Sequence, residues 1–333
     1  MASIRTALVT GGAGFIGRHL VAHLLENKIK VRILDPDSHL RPLPKGAEAI
    51  AGSILEPAAL DTAMAGVDCV FHLAALAHLW ARDKSDYRRI NVDGARAVLD
   101  AVKKHKVKRL VVTSTETVLR GWNDPTPFPI TEADPPAGLA DMAGPYTRSK
   151  CAADEMVQAE AKAGLDVVSV YPTVPVGPGD YGLTAPTQMI LDFVKGKNPA
   201  YLNAGFNFVA VEDAAKAHHL AAELGQPGGR YIVGAENLSM KTFLELLARV
   251  SGKKMPTRAI PYDLALAVAI GAEFAADFVT RKPPVATREG VRLARFPSFV
   301  SSEKAKHELG YTPTPVEDAL ARALAWFRQE KLI

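Results

Sequence analysis

The chain has 333 residues, beyond the ~250–300 at which a single core stops growing, so a large domain with a smaller lobe, or two domains, is expected. Hydrophobic residues make up 48% and charged residues 23%, a balance that excludes intrinsic disorder. Lys and Arg number 40 against 36 Asp and Glu, and the net charge of +4 is spread with interspersed signs, which argues against a nucleic-acid partner.

The N-terminal run MASIRTALVT leads straight into a strand at 7–10 and lacks the longer apolar core of a signal peptide. Thr10-Gly11-Gly12-Ala13-Gly14-Phe15-Ile16-Gly17 then joins that strand to a helical pattern at 15–27. It reads as GxGxxG on Gly12, Gly14 and Gly17, or as GxxGxxG on Gly11, Gly14 and Gly17. Glycines at such a junction permit a tight turn and let backbone N–H groups approach a pyrophosphate, which the positive helix end then faces. A second strand, 31–34, ends at Asp35, 18 positions after Gly17. A carboxylate there can hold both adenine-ribose hydroxyls and repel a 2′-phosphate. Pro36 supplies no cation, so NAD is expected in preference to NADP, with Arg32 and Arg41 as the residues that could rescue NADP.

Further strands are expected at 67–73, 110–112 and 167–170, separated by helices at 87–104 and 146–163. Such alternation predicts an α/β fold, a doubly wound parallel sheet with helices on both faces. Cys69 and Cys151 form no CxxC or His-rich pair, which excludes a disulfide framework or zinc cage and suits a reducing cytoplasm. Lys103, Lys104, His105, Lys106, Lys108 and Arg109 gather where a helix should end, and cations there complement its dipole.

Tyr146-Thr147-Arg148-Ser149-Lys150 opens a helix just after Gly144-Pro145, so Tyr146 and Lys150 share one helical face. A free phenol titrates near ~10, and ionising it at neutral pH needs about three units, roughly 4 kcal/mol. An ammonium one turn away, together with an oxidised nicotinamide, could supply much of that. Tyr146 would then exchange a proton with a carbinol or carbonyl oxygen while hydride moves. Thr115, ending a strand about thirty residues earlier, could bind the same oxygen.

After 170 comes a Pro- and Gly-dense loop at 171–180, then helices near 187–195, 211–224, 242–250, 262–279 and 316–328 with small strand pieces between. This reads as a smaller, mainly helical substrate lobe, giving a boundary of 1–172 and 173–333 with the chain free to cross back. The most apolar stretch, 259–279, is interrupted by Asp263, Glu273 and Asp277, so an amphipathic helix is expected and no membrane span; a lid or membrane-surface contact is a secondary reading. His218 and His219 are adjacent and diverge on a helix, so no metal site is expected.

These motifs give the chain its resemblance to the extended short-chain dehydrogenase/reductase superfamily, also called the NAD-dependent epimerase/dehydratase family. TGGAGFIG at 10–17, Asp35, FHLAA at 71–75, NVDG at 91–94, TST at 113–115, YTRSK at 146–150, GPGD at 177–180 and HELGYTP at 307–313 occur in the family's order. ILDFVKGKNPAY at 190–201 and RYIVGAENLS at 230–239 resemble, more closely, bacterial hopanoid-associated sugar epimerases and dihydroflavonol-4-reductase-like proteins. The resemblance implies Tyr146 as acid/base, Lys150 as its modulator and nicotinamide-ribose ligand, and Thr115 as the hydroxyl position, with Ser114 as alternative. It implies a cofactor path through Gly11, Gly14, Phe15, Ile16, Gly17, Asp35, Ser53, Ile54, Leu73, Ala74, Ala75, Asn91, Thr113 and Pro172, and a homodimer through the 87–104 and 146–163 helices. Two departures stand out: Ser53 replaces the usual Asp beside the adenine, and Arg120 disturbs the turn after Val118.

Sugar-nucleotide members of the family carry Arg-Pro-x-Asn where this chain has Tyr171-Pro172-Thr173-Val174, and an Arg where it has Phe206. Losing a bidentate donor and gaining apolar surface predicts a less charged, partly apolar small-molecule substrate. His78, Leu79, Trp80, Met189, Phe206 and Phe208 are candidate walls, with core packing as the alternative for each. The leading reading is an NAD-dependent dehydrogenase or ketone reductase. A redox-neutral sugar epimerase or dehydratase is the runner-up. A non-catalytic nucleotide sensor is a third class, against which the intact Tyr–Lys pair argues.

Overall fold

The computed structural model describes residues 4–197 and 199–333; the first three residues of the N-terminal run, and Asn198 in the 190–201 motif, lie outside it. The apolar runs form strands β1 (Thr6–Thr10), β2 (Lys30–Leu34), β3 (Glu48–Ile50), β4 (Cys69–His72), β5 (Arg109–Thr113) and β6 (Val167–Pro172). Between them run α1 (Phe15–Glu26), α2 (Pro57–Met64), α3 (Gly94–Lys104), preceded by a π-type turn at Tyr87–Asp93, and α4 (Pro145–Lys162). The chain continues as β7 (Val174–Val176), α5 (Ala185–Val194), β8 (Ala200–Leu202), β9 (Gly205–Ala210), α6 (Val211–Leu224), β10 (Arg230–Val233), β11 (Glu236–Ser239) and α7 (Met240–Ser251). It ends as β12 (Arg258–Ile260), α8 (Tyr262–Ala275) with a π-type turn at Ala276–Thr280, α9 (Arg288–Leu293), α10 (Glu303–Leu309) and α11 (Val316–Gln329).

Seven parallel strands form the central sheet in the order β10-β6-β5-β4-β1-β2-β3. Its central strands β1, β4, β5 and β6 are almost wholly buried because helices cover both faces. On one face α1 packs against α6, burying Leu20, Val21 and Leu24 with Ala214, Ala217 and Ala221. On the other, α2, α3 and α4 bury Leu60, Met64, Val98, Leu99 and Val157. The order reverses at β1, which has β2 on one side and β4 on the other, and a crevice opens at such a switch point.

A separate core of Phe193, Phe208, Phe243, Leu247, Leu320 and Phe327 fills the second lobe, where β11-β9-β7 make a small sheet under α5, α7 and α11. The chain crosses back: α6 covers the large sheet and β10 is its edge strand beside β6. The cut at 172/173 therefore divides the sequence and not the sheet. The basic run at the end of α3 is locally neutralised, with Lys104 and His105 on Asp61, Lys103 on Glu160, Lys108 on Asp68 and Arg109 on Asp166.

Candidate active site

The carboxyl ends of β1, β2, β4, β5 and β6 open into a cleft of about 780 Å³ between the sheet and the second lobe. Gly11, Gly14 and Gly17 line it, with Phe15 and Ile16, whereas Gly12 turns away onto Ile33. Gly11 has φ +72°, and a Cβ there would sit 2.7 Å from the Ala74 nitrogen, so the turn after β1 must be glycine for the chain to pass β4. A side chain at Gly17 would strike the Gly11 carbonyl. The GxxGxxG reading is the one whose glycines meet the cleft. Gly14 caps α1 without a side-chain hydrogen bond, so the first helical N–H groups are left for an external acceptor.

Asp35 stands buried at the end of β2, its Oδ2 accepting from the Ala13 N–H at 3.1 Å and its Oδ1 from the Asp37 N–H at 2.9 Å. Each oxygen keeps a lone pair for a ribose hydroxyl. Arg32 is consumed elsewhere, on Glu48 at 2.9 Å and on the Ala63 and Ala65 carbonyls. Arg41 does line the cleft, paired with Asp37 at 3.2 Å. Ser53, Ile54, Leu73, Ala74, Ala75, Thr113 and Pro172 also line it. A narrow groove of glycines and small apolar residues, closed by one buried carboxylate, fits an adenine dinucleotide.

Thr115, Tyr146 and Lys150 converge on the cleft from β5 and α4. Of the two hydroxyls, that of Thr115 and not of Ser114 acts on the Tyr146 phenol, drawing its pKa down against the effect of burial. Lys150 is buried and donates to the Thr113 carbonyl at 2.8 Å. Burial pulls its ammonium down to about 8, partly offset by Asp154. Burial also pushes the Tyr146 phenol well above its ordinary value, and the Glu116 and Glu289 carboxylates add to that. The resting phenol is therefore a proton donor, and a positive charge in the cleft would be needed to ionise it.

Asn91 and Trp80 do not line the cleft. Asn91 lies one layer behind, taking the Leu76 N–H at 2.7 Å and donating to the Leu76 carbonyl and to Ser149 Oγ at 2.8 Å. Ser149 Oγ in turn donates to the Tyr146 carbonyl. Asn91 thus ties the 73–79 wall to α4 and positions both. Trp80 points outward because its indole N–H finds Asp277 at 2.8 Å, 197 residues away. Leu79, His78, Met189, Phe206 and Phe208 do line the cleft, and Phe208 is also core, stacked on Phe243 with centroids 4.1 Å apart.

Two acidic residues that sequence reasoning passed over complete the site. Glu116, first residue of the 3-10 turn at Glu116–Val118, is buried in the cleft wall and accepts from Thr115 Oγ1 at 3.0 Å. Burial lifts its carboxyl to about 7 against that hydrogen bond. Glu289 of α9 accepts from the backbone N–H groups of Tyr146 at 3.1 Å and Thr147 at 2.7 Å, and from the Thr147 hydroxyl. It caps α4 from the second lobe, and Gly144 is compatible because a Cβ there would lie 2.6 Å from the Glu289 carboxylate. Glu116 directly follows the TST run and could have been flagged; nothing local announces Glu289.

The glycine turn at the switch point and the Tyr–Lys–Thr cluster define a dinucleotide-binding oxidoreductase class of site. The chain belongs to the NAD dependent epimerase/dehydratase family, whose model matches residues 7–234. It is 34% identical over 329 residues to a putative dihydroflavonol 4-reductase of Synechocystis sp., covering 96% of this chain and 94% of that one. It is 30% identical to sterol demethylase protein B of Methylococcus capsulatus, covering 98% of this chain and all of the relative. The crystal structure of gox2253 is similar with a TM-score of 0.85 at 34% identity, over 98% of this chain and 99% of the other.

Proposed function

We propose that this chain is an NAD-dependent dehydrogenase or reductase acting on a secondary alcohol or ketone of a partly apolar small molecule. One observation carries the substrate class. The outer half of the cleft is walled by Leu79, Val174, Met189, Phe206, Met240 and Leu293, with no guanidinium among its described residues. Arg41 and Lys150 are the cationic residues along the cleft, and both belong to its dinucleotide half. A dianionic diphosphate would go unpaired in the outer half, whereas an apolar ring or chain is desolvated there without loss. The names of two relatives, a dihydroflavonol reductase and a sterol demethylase component, point the same way.

A bound nicotinamide supplies the hydride acceptor or donor. Gly11, Gly14 and Gly17 would cradle the pyrophosphate, and Asp35 the adenine ribose. Thr115 and Tyr146 would grip the substrate oxygen, Tyr146 exchanging its proton. Lys150, held against the Thr113 carbonyl, would keep positive charge one helical turn from the phenol. Asp35 opposes a 2′-phosphate and Arg32 is committed elsewhere, so NAD is preferred to NADP.

Turnover of a panel of apolar ketones with NADH and with NADPH tests this reading. Net consumption of NADH, at a kcat/KM above that with NADPH, is expected; redox-neutral conversion of a sugar nucleotide would overturn it. Glu116 favours the second reading, an epimerase or dehydratase, because a second proton-exchanging carboxyl beside Thr115 suits an elimination at the neighbouring carbon.

A further inference from the structure

Helix α8 presents charge-free apolar residues on the side turned away from the protein. Its packed side carries Ala269 and Glu273, and Ala276 just beyond its end, all buried. Leu264, Ala267, Val268, Gly271, Phe274 and Phe278 form the opposite stripe at helical spacing, and all six are exposed. Phe274 is 63% and Phe278 68% exposed, with ring centroids 4.9 Å apart. Val279 and Val285 extend the patch. Contiguous exposed apolar surface of this kind marks a contact site.

Charge selects the partner. The carboxylates of the segment are drawn inward or engaged: Glu273 is paired with Arg288, and Asp277 with Lys84 at 3.2 Å and the Trp80 indole. Asp263, at the first turn, is the acidic residue left on the exposed side. Exposed cations frame both ends, with Lys253, Lys254 and Arg258 before the helix, Arg281 and Lys282 after it, and Arg295 over the Tyr262 ring. An isologous contact between two copies would set this cationic frame against itself. An anionic headgroup layer over hydrocarbon complements both the frame and the stripe. No helix among the described residues is long and apolar enough to cross a membrane, so the contact is one of lying on the surface.

We propose that the outer face of α8, with the turn after it, docks on an anionic lipid surface. The helix packs on α9, whose Gly290 and Leu293 line the cleft, and Asp277 holds the Trp80 segment that continues the opposite wall. Docking would bring the apolar half of the cleft to the bilayer, where an apolar substrate partitions; this last step rests on the function proposed above, whereas the docking itself does not.

Flotation of the full chain with phosphatidylcholine vesicles, with and without phosphatidylglycerol, tests the proposal without substrate or dinucleotide. The wild type should float with the anionic vesicles about tenfold more than with neutral ones, and molar salt should weaken this. Phe274→Ser with Phe278→Ser, both on the exposed face, should abolish flotation at unchanged Tm, and Arg281→Glu with Lys282→Glu should reduce it. Absence of wild-type flotation, or flotation indifferent to the Phe pair, would overturn the proposal. So would light scattering showing a dimer that the Phe variant dissociates while vesicles bind neither form.

Discussion

At the residue scale, two protons in the site are held differently. Tyr146 stays protonated at rest because burial and two carboxylates oppose its ionisation. Tyr146→Phe should lower kcat by about 10²–10⁴-fold while dinucleotide affinity, read by calorimetry, changes less than about threefold. Glu116 is the group of the pair that titrates near neutrality, a carboxyl that burial lifts to a folded value of about 7. A carboxyl raised in the folded state binds more protons there than when unfolded, so its ionisation destabilises the fold as pH climbs from the ordinary carboxylate range through about 7. Glu116→Gln should therefore raise Tm relative to wild type at pH 8, by about 1–2 °C for each kcal/mol relieved, and lose that advantage below about pH 5. A gain equal at both pH values would show that Glu116 is ionised in the fold.

At the element scale, the active helix α4 is held from both ends of the chain. Its first turn is capped by Glu289, 143 residues beyond Tyr146, and its Ser149 by Asn91. Glu289→Ala removes the acceptor of the buried Thr147 N–H and of the half-buried Tyr146 N–H and should cost about 1–3 kcal/mol of stability by denaturant melts. It should also lower kcat more than apolar-ligand affinity, since it frees Tyr146 and not the apolar wall. Equal loss in both would mean that Glu289 only holds the lobes together. The elements that carry chemistry were legible in the sequence because their signals are local: glycine spacing, a Tyr and a Lys one turn apart, an acidic strand end. The place of Trp80 outside the cleft lining is not legible from sequence, because its partner, Asp277, is 197 residues away. The short edge strand β3 and the helix α2 behind it gave no alternation to read. The burial that lifts Glu116 is a product of tertiary packing.

At the scale of the whole molecule, the cleft is shared between two cores, and each supplies what the other lacks. The parallel sheet gives glycines, a carboxylate and the proton-handling groups; the second lobe gives apolar wall and the cap on α4. The return of the chain into β10 and α6 couples them across the sequence boundary at 172. Polar ties reinforce that coupling, with Asp213 of α6 accepting from Thr314 at 2.7 Å and Glu212 from Arg322 of α11 at 3.0 Å. The two lobes should unfold together in a single calorimetric transition, and NAD should raise its midpoint by mass action. Two resolved transitions, one of them indifferent to NAD, would separate the lobes.

The most direct measurement follows a deuterium. NADH deuterated at its transferable nicotinamide position is given to the enzyme with an apolar ketone, and the label is located by mass spectrometry and NMR. One deuterium is expected on the new carbinol carbon for each NADH consumed, with the same stoichiometry at an about 10²–10⁴-fold lower rate for Tyr146→Phe. A sugar nucleotide epimerised with no net NADH loss, or alcohol formed without the label, would contradict that expectation.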